Sequence, residues 1–454
     1  MRRPSIPCRP AAFRRLDGLA RAAAVAIAAT ASWPASAPAA DIPSGASPGI
    51  RAGDAGRHIG ILADDSFEGR EGGSRGGRAA AAYIVEQLER LDLRPAGDAG
   101  TWYQALGSLR NVLALLPGSD PTVARELVVV GAHYDHVGYG KAANSYGPFG
   151  FVHNGADDNA SGVAGLLEVA EALAHLEPRP KRPILVAFWD GEEQGLLGSR
   201  HFLRVRPAAV ADATVVFSVN LDMIGRLRGQ RLEVYGTRTA TGLRSLVTRA
   251  NSDPAVAAGL SLAFMWDIED DSDHYPFIAA GIPTVMFHTG LHDQYHRPSD
   301  DVHLVNVDGI EPVARLTLGF VRELADAAGP PPAFRTASRG ESDATKRRLE
   351  SPAPLGPGAP RGRWGLGSRP DPGEPGSAIV VRVTPGSPAA AAGVLVGDRI
   401  VAVGGTAAVS HDDVLARLRA AAGQAAIDVD RNGTIVRLLL DEGDAAANPA
   451  PTAQ

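Results

Sequence analysis

Glu126–Gly138 reads ELVVVGAHYDHVG. Leu127–Val130 is an unbroken apolar run, the length of a strand buried on both faces, and His133, Tyr134 and Asp135 follow it directly. A buried strand that opens straight onto imidazole and carboxylate is the pattern of the carboxyl edge of an open α/β sheet, where ligands bind. The pattern recurs outward in both directions. Asn111–Leu116 is another short apolar run. Ile184–Trp189 leads to Glu192-Glu193, Thr214–Leu221 ends at Asp222, and Thr284–Phe287 is followed by a polar loop that reaches His296. Asp157-Asp158-Asn159 sits in a Gly/Ser loop before Ser161–Leu176, where Val163, Leu166, Leu167, Val169, Ala170 and Leu173 recur at helical spacing. Arg78–Leu93 and Val305–Ala328 read as further helices. The alternation predicts an α/β fold with a mixed, largely parallel central sheet sandwiched by helices.

The chain has 454 residues, 44% hydrophobic and 21% charged, which excludes a disordered or fibrous protein. The net charge of −6 gives no ground for a nucleic-acid partner. Cys8 is the only cysteine, so a disulfide framework and a thiolate zinc site are both excluded. Any metal must be held by His, Asp and Glu.

Arg2, Arg3, Arg14 and Arg15 precede an apolar run from Leu19 to Ala31, and small residues follow it. This is the pattern of a signal peptide over 1–40, cleaved on export to the periplasm or outside the cell. No other segment is long and apolar enough for a membrane span. Residues 41–329 are expected to form the metal-dependent unit. A Pro/Gly-rich linker over 330–362, a second small unit over 363–442 and a disordered tail over 443–454 complete the organisation.

The strand-end residues suit a pair of cations. Two zinc ions about 3.5–4 Å apart need a carboxylate that spans both, with an imidazole and a further carboxylate on each. Two His, two Asp and one Glu fill that scheme: His133, His296, Asp158, Asp222 and Glu193. A carboxylate that is not a ligand must still take a proton from the attacking water, and Glu192 stands beside Glu193 for that role.

Six blocks carry a resemblance to a known family: GAHYDHVG (131–138), GADDNASG (155–162), FWDGEEQGLLGS (188–199), NLDMIG (220–225), SDHYPFIAAGIP (272–283) and DQYHRPSDD (293–301). In this order they resemble the co-catalytic di-zinc aminopeptidases, whose relatives include glutamate carboxypeptidase and glutaminyl cyclase. The resemblance makes Asp158, directly before Asn159, the bridging ligand rather than Asp157. It implies Asp135 as the partner that orients His133, Glu192 as general base and Tyr295 as a group that polarises the scissile carbonyl. It implies two zinc ions and removal of N-terminal residues from peptides; glutaminyl cyclase and carboxypeptidase activities are the alternatives on the same fold. His136, His153, His288 and His292 read as pocket or structural residues, and Asp273, His274 and Asp300 as supports.

Gly365-Leu366-Gly367 and VVRVTPGSPAAAAGVLVGDRIVAVGG (380–405) resemble a PDZ domain of the bacterial protease type, a small β-sandwich or barrel. The resemblance implies a groove for a peptide C-terminus, with Asp412–Leu418 as the helix beside it. A non-catalytic peptide-binding protein is the alternative from another class.

Overall fold

The apolar runs become strands because each can bury both faces. The structure, a computed structural model, describes residues 50–355 and 362–443. The expected signal peptide, Cys8 and all but the first residue of the expected tail lie outside the described residues.

The main sheet is built from β1 (Arg94–Pro95), β2 (Tyr103–Leu106), β3 (Leu109–Leu116), β4 (Glu126–His133), β5 (Ile184–Trp189), β6 (Thr214–Leu221), β7 (Arg231–Tyr235), β8 (Ser261–Phe264) and β9 (Thr284–His288). Their order is β1-β3-β5-β4-β6-β9-β7-β8, with β2 added on β3. The central strands β5, β4, β6 and β9 are parallel, whereas β3 and β7 join them antiparallel. The sheet is therefore mixed with a parallel centre.

The pleat divides each central strand between two cores. Ile184, Val186 and Phe188 face one side of β5, and Leu185, Ala187 and Trp189 face the other. The larger core is covered by α1 (Ala52–Leu62), α2 (Arg75–Leu88), α3 (Gly162–Ala174), α5 (Leu243–Ser252) and α7 (Val307–Asp326). The smaller is closed by Phe202 of α4 (Leu197–Arg204) and Phe277 of α6 (His274–Ala279), both packed on Trp189.

Two differences from the sequence reading have local causes. The α2 helix starts at Arg75 rather than Arg78 because the Ser74 hydroxyl accepts from the Gly77 amide and caps it. β7 and β8 do not stand out as apolar runs, since each contributes only alternate residues to the core: Leu232 and Val234, then Leu262 and Phe264.

The Pro/Gly-rich stretch after α7 is not a plain spacer. It contains α8 (Asp343–Glu350), which Ser342 caps at Thr345. Lys346 Nζ donates to the Phe264 carbonyl, and the Asp343 carboxylate accepts from the Trp266 amide.

Beyond it a six-stranded antiparallel sheet comprises β10 (Leu366–Pro370), β11 (Ala378–Val383), β12 (Arg399–Val403), β13 (Thr406–Ala407), β14 (Gln424–Arg431) and β15 (Thr434–Asp441). It encloses its own core, with Val414 and Leu418 of the helix His411–Ala420 among the buried residues. Among the described residues no helix is long and apolar enough to cross a membrane.

Candidate metal centre

The parallel centre brings four strand ends to one edge. His133 is the last residue of β4, Asp222 follows β6, Glu192 and Glu193 lie in the loop after β5, and His296 lies beyond β9. Asp158 comes from the irregular turn Ala156–Ser161 that enters α3. These residues form two groups that share Asp158. One is His133, Asp158 and Asp222; the other is His136, Asp158, Glu193 and His296. All five expected ligands are thus brought together, and His136 joins them.

The two oxygens of Asp158 face opposite groups. Oδ1 lies 3.4 Å from His133 Nε2, which is also 3.4 Å from Asp222 Oδ1. Oδ2 lies 3.1 Å from His296 Nε2, which is 3.2 Å from Glu193 Oε2. Zinc bonds of about 2.0–2.1 Å place neighbouring tetrahedral ligands about 3.3 Å apart, so both groups have the spacing of ligand sets. Asp222 Oδ1 is buried without a hydrogen-bond partner. An orphaned carboxylate oxygen among buried carboxylates is costly unless a cation meets it.

Known proteins point the same way. Residues 111–321 match the peptidase family M28, and residues 379–431 match a PDZ domain.

The chain carries a peptidase family M28 domain.

It is 28% identical to leupeptin-inactivating enzyme 1 of Streptomyces exfoliatus over 234 residues, 50% of this chain and 45% of that protein. It is 30% identical to aminopeptidase YwaD of Bacillus subtilis over 205 residues, 44% of this chain and 41% of that one. The matches thus span less than half the length of each relative. The crystal structure of the Legionella pneumophila LapA aminopeptidase shares the fold, with a TM-score of 0.51 at 18% identity over 62% of this chain and 73% of that one.

Polar contacts around the M28 domain's ligand set hold each side chain in place. His133 Nδ1 donates to the Asp135 carbonyl at 3.1 Å, which leaves Nε2 bare toward Asp158 and Asp222. The Asp135 carboxylate, expected to orient that imidazole, lies 3.7 Å from His133 Nδ1 and also accepts from the amides of Glu192 at 3.1 Å and Glu193 at 3.4 Å. The peptide carbonyl and the carboxylate of Asp135 thus both face the imidazole, while the carboxylate also grips the backbone of the Glu pair.

Asp157 lies outside both groups. Its Oδ1 accepts from the Gly225 amide and the Ser161 hydroxyl. Asp300 Oδ2 accepts from the amides of both Asp157 and Asp158 at 3.0 Å, while Arg226 donates to Oδ1 at 2.8 Å. Asn159 ties three elements together, donating to the carbonyls of His133 and Leu221 and accepting from the amides of Met223 and Gly162.

Further residues have roles that motif reading overlooks. Arg70, fully buried, donates to the carbonyls of Leu62, Tyr134, Asn154 and Gly155 and binds the loops behind the ligands. Its position just before the glycines of EGREGGSRGG was the available signal. His296 adopts φ +53, and its carbonyl accepts from the Ser145 hydroxyl and the Tyr146 amide. Left-handed backbone at a non-glycine residue is strained, and these bonds hold it. His153 and His288 have local hydrogen bonds, to Ser145 and from the Gly290 amide. Asp273 accepts from Ser199.

Glu192 belongs to neither ligand group. Burial pushes its carboxyl well above the ordinary range; His133 opposes this, and Glu193, Asp273 and Asp222 add to it. Tyr295 stacks on the His296 ring, centroids 3.9 Å apart. Burial and the carboxylates of Asp158, Glu193, Glu192 and Asp222 raise its phenol well above 10, so the hydroxyl keeps its proton.

Proposed function

We propose that this chain is an exported zinc aminopeptidase that removes N-terminal residues from peptides at a two-ion centre. The division of Asp158 carries the reading: one carboxylate offers a different oxygen to each of two ligand sets. His133 and Asp222 would hold one ion, Glu193 and His296 the other. The ions would supply a water of near-neutral pKa and polarise the scissile carbonyl.

The chain's own groups do the rest. Glu192, its carboxyl raised by burial and free of the ligand sets, takes the proton from the attacking water and returns it to the leaving amine. Asp135 fixes the backbone that carries Glu192. Tyr295 donates its hydroxyl to the developing oxyanion. The basic and apolar leader supports export, and the PDZ domain supports docking of a peptide C-terminus along β10.

The test is hydrolysis of aminoacyl-nitroanilides by the full mature chain. Chelation should abolish turnover and zinc should restore it. Glu192→Gln should retain both ions and lower kcat by at least ~100-fold. Full turnover in that variant removes Glu192 from the role. An inert zinc-loaded enzyme across free-amine substrates removes the aminopeptidase reading.

A further inference from the structure

His136 lies outside the five-residue set that the sequence motifs mark, yet it faces the same carboxylates. It is 1% exposed. Its amide donates to the Arg70 carbonyl, and it forms a bridge with Glu71, so its backbone is held on both sides. Gly155 makes room for the ring, because a Cβ there would stand 2.5 Å from His136 Cδ2. The imidazole packs edge-on against that of His296, centroids 5.5 Å apart at 82°.

Only one of its nitrogens meets a polar group. Nδ1 lies 2.8 Å from Glu193 Oε1 and 3.7 Å from Asp158 Oδ2, whereas Nε2 is buried with no hydrogen-bond partner. Those two separations bracket the edge of about 3.3 Å expected between tetrahedral zinc ligands. One ring nitrogen of His136 falls within 4.8 Å of ligand atoms of Asp158, Glu193 and His296 alike.

We infer that His136 is a ligand, through Nδ1, of the ion held by Glu193 and His296. This deepens the two-ion reading above and rests on it. The consequence is asymmetry. The ion beside His296 has four protein ligands and is closed, whereas the ion beside His133 has three and keeps an open position for water or substrate. The closed site fills first and empties last.

The rival role for His136 is that of a hydrogen-bond donor that merely steadies Glu193. Asparagine separates the two, since its amide can donate from about the position of Nδ1 but ligates zinc poorly. The experiment is calorimetric titration of the metal-free full chain with Zn2+, for wild type, His136→Ala and His136→Asn, each checked for an unchanged far-UV spectrum.

The wild type should bind two equivalents, one more tightly. Both variants should weaken the tight equivalent by more than about 100-fold, beyond the 10–100-fold typical of a lost supporting hydrogen bond, and leave the other unchanged. Wild-type affinity in His136→Asn, or in both variants, overturns the inference. A wild type that binds one equivalent strikes the two-ion reading instead; loss of that equivalent in both variants still supports His136 as a ligand.

Discussion

Asp158 and Asp300 sit close together in the buried loops yet contribute in different ways. Asp158 spends both oxygens on imidazoles, and Asp300 spends both on holding Asp158 and Arg226. Asp300→Ala removes the acceptor of two amides and leaves the buried Arg226 guanidinium without its carboxylate. Zinc affinity should fall by about 10–100-fold, read by competition with a chelating dye, although Asp300 touches no ion. Unchanged affinity would show that the Asp158 turn needs no such support. The resemblance carried by the GADDN motif singled out Asp158, whose two oxygens face His133 and His296 in the structure. The further reach of Asp135 to the Glu192 and Glu193 amides was not legible, because only the packed fold brings that loop beside the carboxylate.

At the scale of elements, β4, β5 and β6 were legible because burial on both faces leaves continuous apolar runs with sharp ends. β8 was not. It is the last strand of the main sheet, and its free edge is covered by other parts of the chain. The Leu262 amide donates to the Asn432 carbonyl in the β14–β15 turn, and Lys346 of α8 takes the Phe264 carbonyl. Such cover removes a template for pairing with other chains. Asn432-Gly433 turns with φ +51 and +77, and a Cβ on Gly433 would stand 2.3 Å from Leu262 Cγ. Gly433→Ala is both strained and obstructed, so the turn should lift from β8. Light scattering should then show self-association, and limited proteolysis should cut faster between the two sheets. A variant no more self-associated and no less resistant than the wild type would mean that this contact does not guard the edge.

The two sheets are joined by buried ion pairs rather than by a bare linker. Asp371 accepts from Arg238 of the M28 domain and from Arg399 of the smaller sheet, and Arg244 reaches Asp430 at 2.6 Å. Burial alone would raise the Asp371 carboxyl, but Arg399 and Arg238 outweigh it and hold it at about 2, against an ordinary 3.8. A depressed carboxylate stabilises the fold fully above its unfolded value and loses that contribution as pH falls from 3.8 toward 2. The shift corresponds to about 2 kcal/mol. The stability difference between wild type and Asp371→Asn, from urea unfolding, should therefore shrink by about that amount between pH 5 and pH 2. A difference independent of pH would remove Asp371 from the clasp.

Composition and hydrophobic pattern by themselves pointed to an α/β unit with a second, smaller unit after it, and the β nature of that second unit came from its resemblance to a PDZ domain. Pattern and residue type also marked imidazole and carboxylate at strand ends as the candidate ligands, because period and residue type are local properties written along the chain. Tertiary structure alone decided which oxygen of Asp158 faces which ligand set, that His136 turns Nδ1 toward Glu193, and that buried arginines clasp the two sheets together. These depend on the directions of side chains from segments far apart in sequence, and only the packed fold brings such directions into register.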